Sequence, residues 1–393
     1  MKRRRSCRVS AARLDATSAR RAARLAAAAT LATAAIALAV SLPGCLKVAE
    51  GRAELDQEVG RAEAWGVRFE IEGGLAAVRS VEAGRLALWA GAPAFTLRAR
   101  GGSGGRWRLA VENAMPDLVL DARLEGGAAL AVTAEPAGAV PTERAWAFDL
   151  PAGASATLAL APPDANDTSP YRFAVFADVQ ERIDDVQDIY AKMNEDPAVR
   201  FAIISGDLTD QGSREELERF QLEMKTLKMP CYSTLGNHEL GTKEGLYQEY
   251  FGRGNYRFAY RGVHFTMLDS ASATVAPPVY GWLEGWLAEG AGAAHVVTMH
   301  IPPLDPVGTR NGGFANRAEA NKLLTMLANG GVDLTFYGHV HSYYAFSNAG
   351  IPAYVSGGGG AIPERLDGIE RHFLVVDVDP RTSYSEVALI RVD

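Results

Sequence analysis

Between residues 172 and 341, five short apolar runs each stop on a side chain that can ligate a metal. Arg172 to Ala177 runs into Asp178-Val179-Gln180. Phe201 to Ser205 runs into Gly206-Asp207-Leu208-Thr209-Asp210, and Tyr232 to Leu235 into Gly236-Asn237-His238-Glu239. Val296 to Met299 ends on His300, and Leu334 to Tyr337 on Gly338-His339-Val340-His341. Runs this short and apolar read as buried strands. Stretches of helical period separate them: Ile183 to Met193, and Arg214 to Leu227 opening on a Ser213/Glu216 capping box. Further strands are expected at Tyr256 to Tyr260, Val263 to Leu268, Phe373 to Val378 and Val387 to Val392, the last two following a Gly-rich turn at Gly357 to Gly360. Strands alternating with helices give an α/β layered fold.

In open α/β sheets, ligands collect just beyond the carboxyl ends of strands. Five such ends would gather two Asp, one Asn, one Gln and four of the chain's seven His in one crevice. Each piece alone has an ordinary reading. An Asp after a strand is a turn residue or helix cap, Gly-Asn-His is a turn, and a lone His300 is structural. The series together points to a metal site, because carboxylates and neutral imidazoles suit borderline divalent ions. Glycines before Asp207, Asn237 and His339 permit sharp turns there.

The order Asp-x-Gln, Gly-Asp, Gly-Asn-His-Glu, His, Gly-His-x-His resembles the calcineurin-like metallophosphoesterase family, over about residues 171–393. The resemblance implies a mixed β-sheet sandwich flanked by helices, with two divalent metal ions (Mn, Fe, Zn, Co or Ni) at the strand ends. Carried over by motif, Asp178, Gln180, Asp207 and His341 would hold the first ion. Asp207 would bridge to the second, held also by Asn237, His300 and His339. The ions would share a water, lower its pKa and present hydroxide to phosphorus. His238, held by Asp210 or Glu239, would protonate or stabilise the leaving oxygen. The implied activity is hydrolysis of a phosphomonoester or phosphodiester. The alternative is a non-catalytic surface scaffold that keeps the fold and its metals. Nucleotides, phospholipid head groups and phosphoproteins all stay open as substrates.

Two positions depart from the family. Gln180 stands where an imidazole is usual; its carbonyl oxygen is a harder and weaker donor, which favours Mn²⁺ over Zn²⁺ or leaves Gln180 acting through a water. Gln211 follows Asp210 where the family has Arg. Phosphate contacts must then come from elsewhere, with Arg310 and Arg317 as candidates and solvated loop charges as their bland reading.

Residues 62–161 carry short alternating runs, such as Val67 to Glu72, Phe95 to Arg100 and Trp107 to Glu112, separated by Gly, Pro and Asp. They predict a small antiparallel β-sandwich. That stretch has no His or Cys, so its role is spacing or binding, with no partner legible. Residues 162–170 read as a linker and 46–61 as a tether.

The N-terminus is an address. Residues before Cys45 hold nine Lys/Arg and one Asp, and no charge falls between Leu25 and Leu46. A basic region, an apolar region and a small residue before the cut describe an export signal over residues 1–45. Leu42-Pro43-Gly44-Cys45 resembles a bacterial lipobox, which implies lipidation of Cys45 and a membrane-anchored lipoprotein facing the periplasm or cell exterior. An uncleaved transmembrane anchor is the alternative, since the apolar stretch is just long enough to span. Taking the leader from the chain's 40 basic and 47 acidic residues leaves 31 against 46. So acidic a mature chain disfavours nucleic acid as a partner. Three cysteines, Cys7, Cys45 and Cys231, give no disulfide framework.

Overall fold

The computed structural model describes residues 48–241, 243, 245–308, 312–364 and 369–392. The export signal, Cys45 and Arg310 lie outside them. Residues from Val48 onward form one compact unit. Among the described residues, no helix is long and apolar enough to cross a membrane.

The described residues open with a helix, α1 (48–58), where a tether was expected. Its Ala49, Ala53, Arg52 and Asp56 are buried, so it is part of the packed body. Ten strands follow: β1 (Arg61–Ala64), β2 (Val67–Ile71), β3 (Ala76–Glu82), β4 (Arg85–Ala90), β5 (Phe95–Gly101), β6 (Gly105–Glu112), β7 (Val119–Leu124), β8 (Val132–Ala134), β9 (Arg144–Leu150) and β10 (Ser155–Ala161). They build two five-stranded sheets, β1-β2-β5-β10-β7 and β3-β4-β6-β9-β8. Alternation places Phe69, Leu97, Trp107, Leu109, Phe148 and Leu158 in the core. Contrary to the expected all-antiparallel pattern, β4 and β6 pair in parallel. The chain crosses to the other sheet for β5 between them, so β6 returns in the direction of β4.

The C-terminal half contains β11 (Tyr171–Phe176), α2 (Gln187–Asn194), β12 (Val199–Ser205), α3 (Arg214–Met224), β13 (Cys231–Thr234), α4 (Leu246–Tyr250), β14 (Tyr256–Tyr260), β15 (Val263–Leu268), α5 (Pro277–Glu289), β16 (Ala294–Met299), α6 (Arg317–Asn329), β17 (Leu334–Tyr337), β18 (Tyr343–Asn348), β19 (Ile351–Ser356), β20 (His372–Asp379) and β21 (Tyr384–Arg391). One sheet runs β13-β12-β11-β20-β21 and the other β14-β15-β16-β17-β19-β18. The two pack through aromatic faces, with Phe265 meeting Phe173 at 5.3 Å and Phe201 at 5.4 Å between ring centroids. Helices α2 and α3 cover the first sheet, and α5 and α6 the second. This is the mixed sheet sandwich flanked by helices that the motif series implies. The Ser213 capping box forms as the sequence predicts, with Glu216 answering the Ser213 N–H.

Strands β11, β12 and β13 are mutually parallel, as are β15, β16, β17 and β19. Their carboxyl ends therefore emerge on one edge of each sheet. The first strands join the β-rich half through a buried amide: Asn113 donates to the carbonyls of Ala90 and Cys231, and its Oδ1 accepts the Cys231 N–H.

Candidate metal centre

The parallel strands deliver their terminal residues to one place. Asp207 lies at its middle. Its Oδ2 accepts from Gln180 Nε2 at 2.8 Å, is 3.2 Å from His300 Nε2 and 3.8 Å from His238 Nε2, and its Oδ1 accepts the His238 backbone N–H at 3.0 Å. On one side, Asn237 Oδ1 lies 3.0 Å from His300 Nε2 and 2.9 Å from His339 Nδ1. On the other, His341 Nε2 lies 3.5 Å from Asp178 Oδ1 and 3.2 Å from Gln180 Nε2. Asp207, His300 and His339 each offer a donor atom, all within 4.8 Å of one another. The structure thus brings Asp178, Gln180, Asp207, Asn237, His300, His339 and His341 into two adjoining groups that meet at Asp207.

The turns carrying these residues are strained. Asp178 (φ 63°), Gln180 (49°), Asp207 (54°) and His339 (70°) all have left-handed backbone. Each such residue costs about 1 kcal/mol or more and persists only where its surroundings enforce it. Enforcement is visible here: the N–H of Val179 bonds to the Asp207 carbonyl, that of Gly338 to the His300 carbonyl, and that of Ala361 to the Asp178 carbonyl. The glycines serve two purposes. Gly206 itself takes a left-handed φ of 84°, whereas Gly236 and Gly338 make room for carboxylates. A Cβ at Gly236 would lie 2.0 Å from Asp207 Oδ1, and one at Gly338 2.6 Å from Asp178 Oδ2.

The imidazoles are oriented from behind. His300 Nδ1 meets the Ser205 carbonyl at 2.8 Å, and His341 Nδ1 the Ile362 carbonyl at 2.7 Å. A carbonyl only accepts, so each Nδ1 carries a proton and Nε2 is the atom that faces the site and can ligate. His238 Nδ1 is held in the same way, by the Asp210 backbone carbonyl at 2.5 Å. The Asp210 carboxylate stands off at 3.6 Å, so Asp210 orients His238 chiefly through its main chain. Glu239 does not hold His238. Its buried carboxylate turns back to accept the N–H groups of Asp207, Thr209 and Gly236 and the Thr209 hydroxyl.

Electrostatics show what this donor set fits. Burial pushes the Asp178 carboxyl well above its usual range, and Asp207's charge adds to the rise. Burial would also raise Asp207, but the His300 and His238 imidazoles outweigh it and hold that carboxyl below the carboxylate range. Burial acts to lower His300, yet Asp207 and Asp178 lift it to about 9. Burial and Asp207 together push Glu239 up to about 7. The described partners of Asp178 and Asp207 include no Lys or Arg. Buried carboxylates among imidazole nitrogens, with no described Lys or Arg beside them, are matched by divalent ions that displace the imidazole protons.

Residues 171–343 match the family model for calcineurin-like phosphoesterase. That segment, somewhat under half of the chain, is similar to the calcineurin-like phosphoesterase family. No curated protein sequence matches the chain. Among solved structures, a purple acid phosphatase from yellow lupin (Lupinus luteus) is 13% identical with a TM-score of 0.50, covering 76% of this chain and 70% of its own. A dimetal phosphatase from Danio rerio is 14% identical with a TM-score of 0.43, covering 57% of this chain and 99% of its own. These likenesses are of fold. The segment is a metallophosphoesterase domain, that of hydrolases acting on phosphoric esters.

Of the residues expected to contact phosphate, Arg317 is the exposed first residue of α6. Two arginines absent from the sequence-based candidates border the site, Arg182 paired with Asp185 and Arg371 with Asp188. They line a cleft of about 260 Å³ with His341, the glycines 357, 358 and 360, and the carboxylates of Asp185 and Glu370. Arg182 follows Gln180 by two residues, a signal that was available; nothing in the sequence marks Arg371.

Proposed function

We propose that this protein is an exported, membrane-anchored hydrolase that cleaves phosphomonoesters or phosphodiesters with two divalent metal ions. The observation that carries the reading is Asp207 Oδ2, shared between a group made by Gln180, His341 and Asp178 and a group made by His300, His339 and Asn237. When bound there, two divalent ions would lower the pKa of a water between them to give the attacking hydroxide, and would neutralise the phosphate oxygens.

The chain's own groups do the rest. Asp178, Gln180, Asp207 and His341 would hold the first ion, and Asp207, Asn237, His300 and His339 the second. The Ser205 and Ile362 carbonyls keep the Nε2 atoms of His300 and His341 aimed inward. His238 is 29% exposed, with Nδ1 pinned and Nε2 turned toward Asp207, so it stands where a proton can pass to the leaving oxygen. Arg182 and Arg371 border His341 and would meet substrate oxygens only by sharing their charge with Asp185 and Asp188. The strain stored at Asp178, Gln180, Asp207 and His339 fits a preorganised site.

The test is metal analysis of the mature chain with a panel of chromogenic phosphomonoesters and phosphodiesters. About two ions per chain and turnover abolished by chelation are expected. Two ions bound with no turnover of any ester would instead make the domain a binding module.

A further inference from the structure

Six large apolar side chains stand exposed among the described residues: Val48, Trp65, Val119, Leu222, Val307 and Ile362. Three of them sit on segments that border the metal centre. Val48 lines a cleft with Glu239, Leu240 and Gly241, the residues directly after His238. Val307 belongs to a loop tied by Asp305, whose carboxylate accepts the N–H groups of Val307, Gly308 and Gly312. Gly312 in turn lies against the next ligand segment, since a Cβ there would come 3.1 Å from Val340 and 3.4 Å from the His339 ring. Ile362, 70% exposed, is the residue whose carbonyl holds His341. Isolated surface valines and isoleucines need no explanation. Three apolar residues on segments that also contact the His238, His339 and His341 stretches are a different matter.

Val48 also opens α1, and α1 is fixed to the catalytic half. Arg52 makes a buried two-pronged contact with Asp269, at 2.7 and 3.0 Å, and reaches Ser272 at 3.1 Å. Asp56 accepts from the backbone N–H groups of Gly254 and Asn255 and from the side chains of Asn255 and Gln248. Cys45 precedes Val48 by three residues. Three Cα–Cα steps reach at most ~11 Å. A lipid on Cys45 would therefore hold the start of α1, and with it the His238 rim, against the bilayer with little slack. Apolar tips bury about 5–10 Å into such an interface. The mature chain's acidity gives no attraction to anionic head groups, so apolar contact has to supply the docking.

We propose that the metal crevice opens onto the membrane carrying Cys45, and that its substrate is a phosphoester borne by an amphiphile in that membrane. The head group would enter between Val48, Val307 and Ile362. This rests on lipidation of Cys45 and on the phosphoesterase reading above.

The test uses the full lipidated protein in phosphatidylcholine vesicles with matched ester pairs. These are phosphatidic acid against glycerol 3-phosphate, and hexadecyl against ethyl p-nitrophenyl phosphate. The vesicle-borne member should be hydrolysed at least tenfold more efficiently than its soluble counterpart. The Val307→Asp/Ile362→Asp double variant should lower that ratio at least tenfold. Independently of turnover, Ile362→Trp should add emission that brominated phosphatidylcholine quenches. A ratio unmoved by the double variant, or an unquenched Trp at 362, overturns the inference. Two results reject a premise, and the inference with it, and they are distinct. Absence of turnover of every ester, soluble ones included, rejects the phosphoesterase reading. Absence of acyl groups on Cys45 by mass spectrometry rejects the anchor.

Discussion

Gln180 occupies a ligand position with an amide that points its nitrogen inward. Nε2 donates to Asp207 Oδ2 and approaches His341 Nε2, so it stands between two groups that a first metal would use. A half-turn of the amide would put Oε1 at the same point. The group then adds an oxygen to a site whose nitrogen ligand is His341 alone, which favours harder ions. Gln180→His should tighten metal binding and shift the best activating ion toward Zn²⁺ or Fe. Gln180→Ala should weaken the first site by about 10- to 100-fold, the effect of losing a supporting partner. Metal titration and activity across Mn²⁺, Co²⁺, Ni²⁺ and Zn²⁺ check both, and identical profiles in all three forms would make Gln180 a bystander. His339 is the complementary case. Its Nδ1 shares Asn237 Oδ1 with His300, which puts it in the second group. His339→Ala should lower bound metal from about two per chain toward one and remove most activity. Full metal content at full rate would refute the assignment.

At the scale of elements, the catalytic half was legible because its strands are short, apolar and stopped by Gly-Asp, Gly-Asn-His and Gly-His. β14, β15 and β17 fall where their side-chain runs place them. β18 and β19 were missed, since β18 is a half-exposed edge strand and β19, though mostly buried, carries Pro352 and alternates instead of running apolar. α1 was missed for another reason. Its burial is recorded in partners some two hundred residues away, Asp269 for Arg52 and Asn255 for Asp56. The Glu239 carboxylate and the carbonyls behind His300 and His341 are likewise tertiary facts. That long-range dependence makes α1 testable. Arg52 and Asp269 are both nearly inaccessible, so Arg52→Ala leaves a buried carboxylate uncompensated. Breaking such a pair costs about 3–5 kcal/mol, whereas removing both partners costs less than the sum. Urea unfolding of Arg52→Ala, Asp269→Ala and the double variant should therefore show a coupling of at least about 1 kcal/mol. Additive losses would mean that the Arg52–Asp269 pair does not help to hold α1, leaving Asp56 and the buried alanines to do so.

For the whole molecule, acid stability turns on a group far from the strand ends. His295 lies in β16 with its Nε2 2.9 Å from the Thr266 hydroxyl, and it is almost inaccessible. Burial pushes its imidazole down to about 4, with His264 and Arg257 adding to the fall. In the unfolded chain the same ring titrates near 6.5. Between those values the unfolded state binds the extra proton and the native state does not, so stability falls as pH drops. The contribution is complete above about pH 6.5 and is lost progressively toward pH 4, the loss amounting to about 2 kcal/mol by pH 5. His295→Gln retains a polar group for Thr266 and cannot titrate. Buried carboxylates near the metal centre also respond to pH, but they are common to both proteins and cancel in the difference. Denaturant midpoints measured with chelator at pH 8 and pH 5 should therefore fall more in the parent than in His295→Gln. An equal fall in the two would mean that His295 takes up its proton inside the folded sheet, and that the strand tolerates the charge.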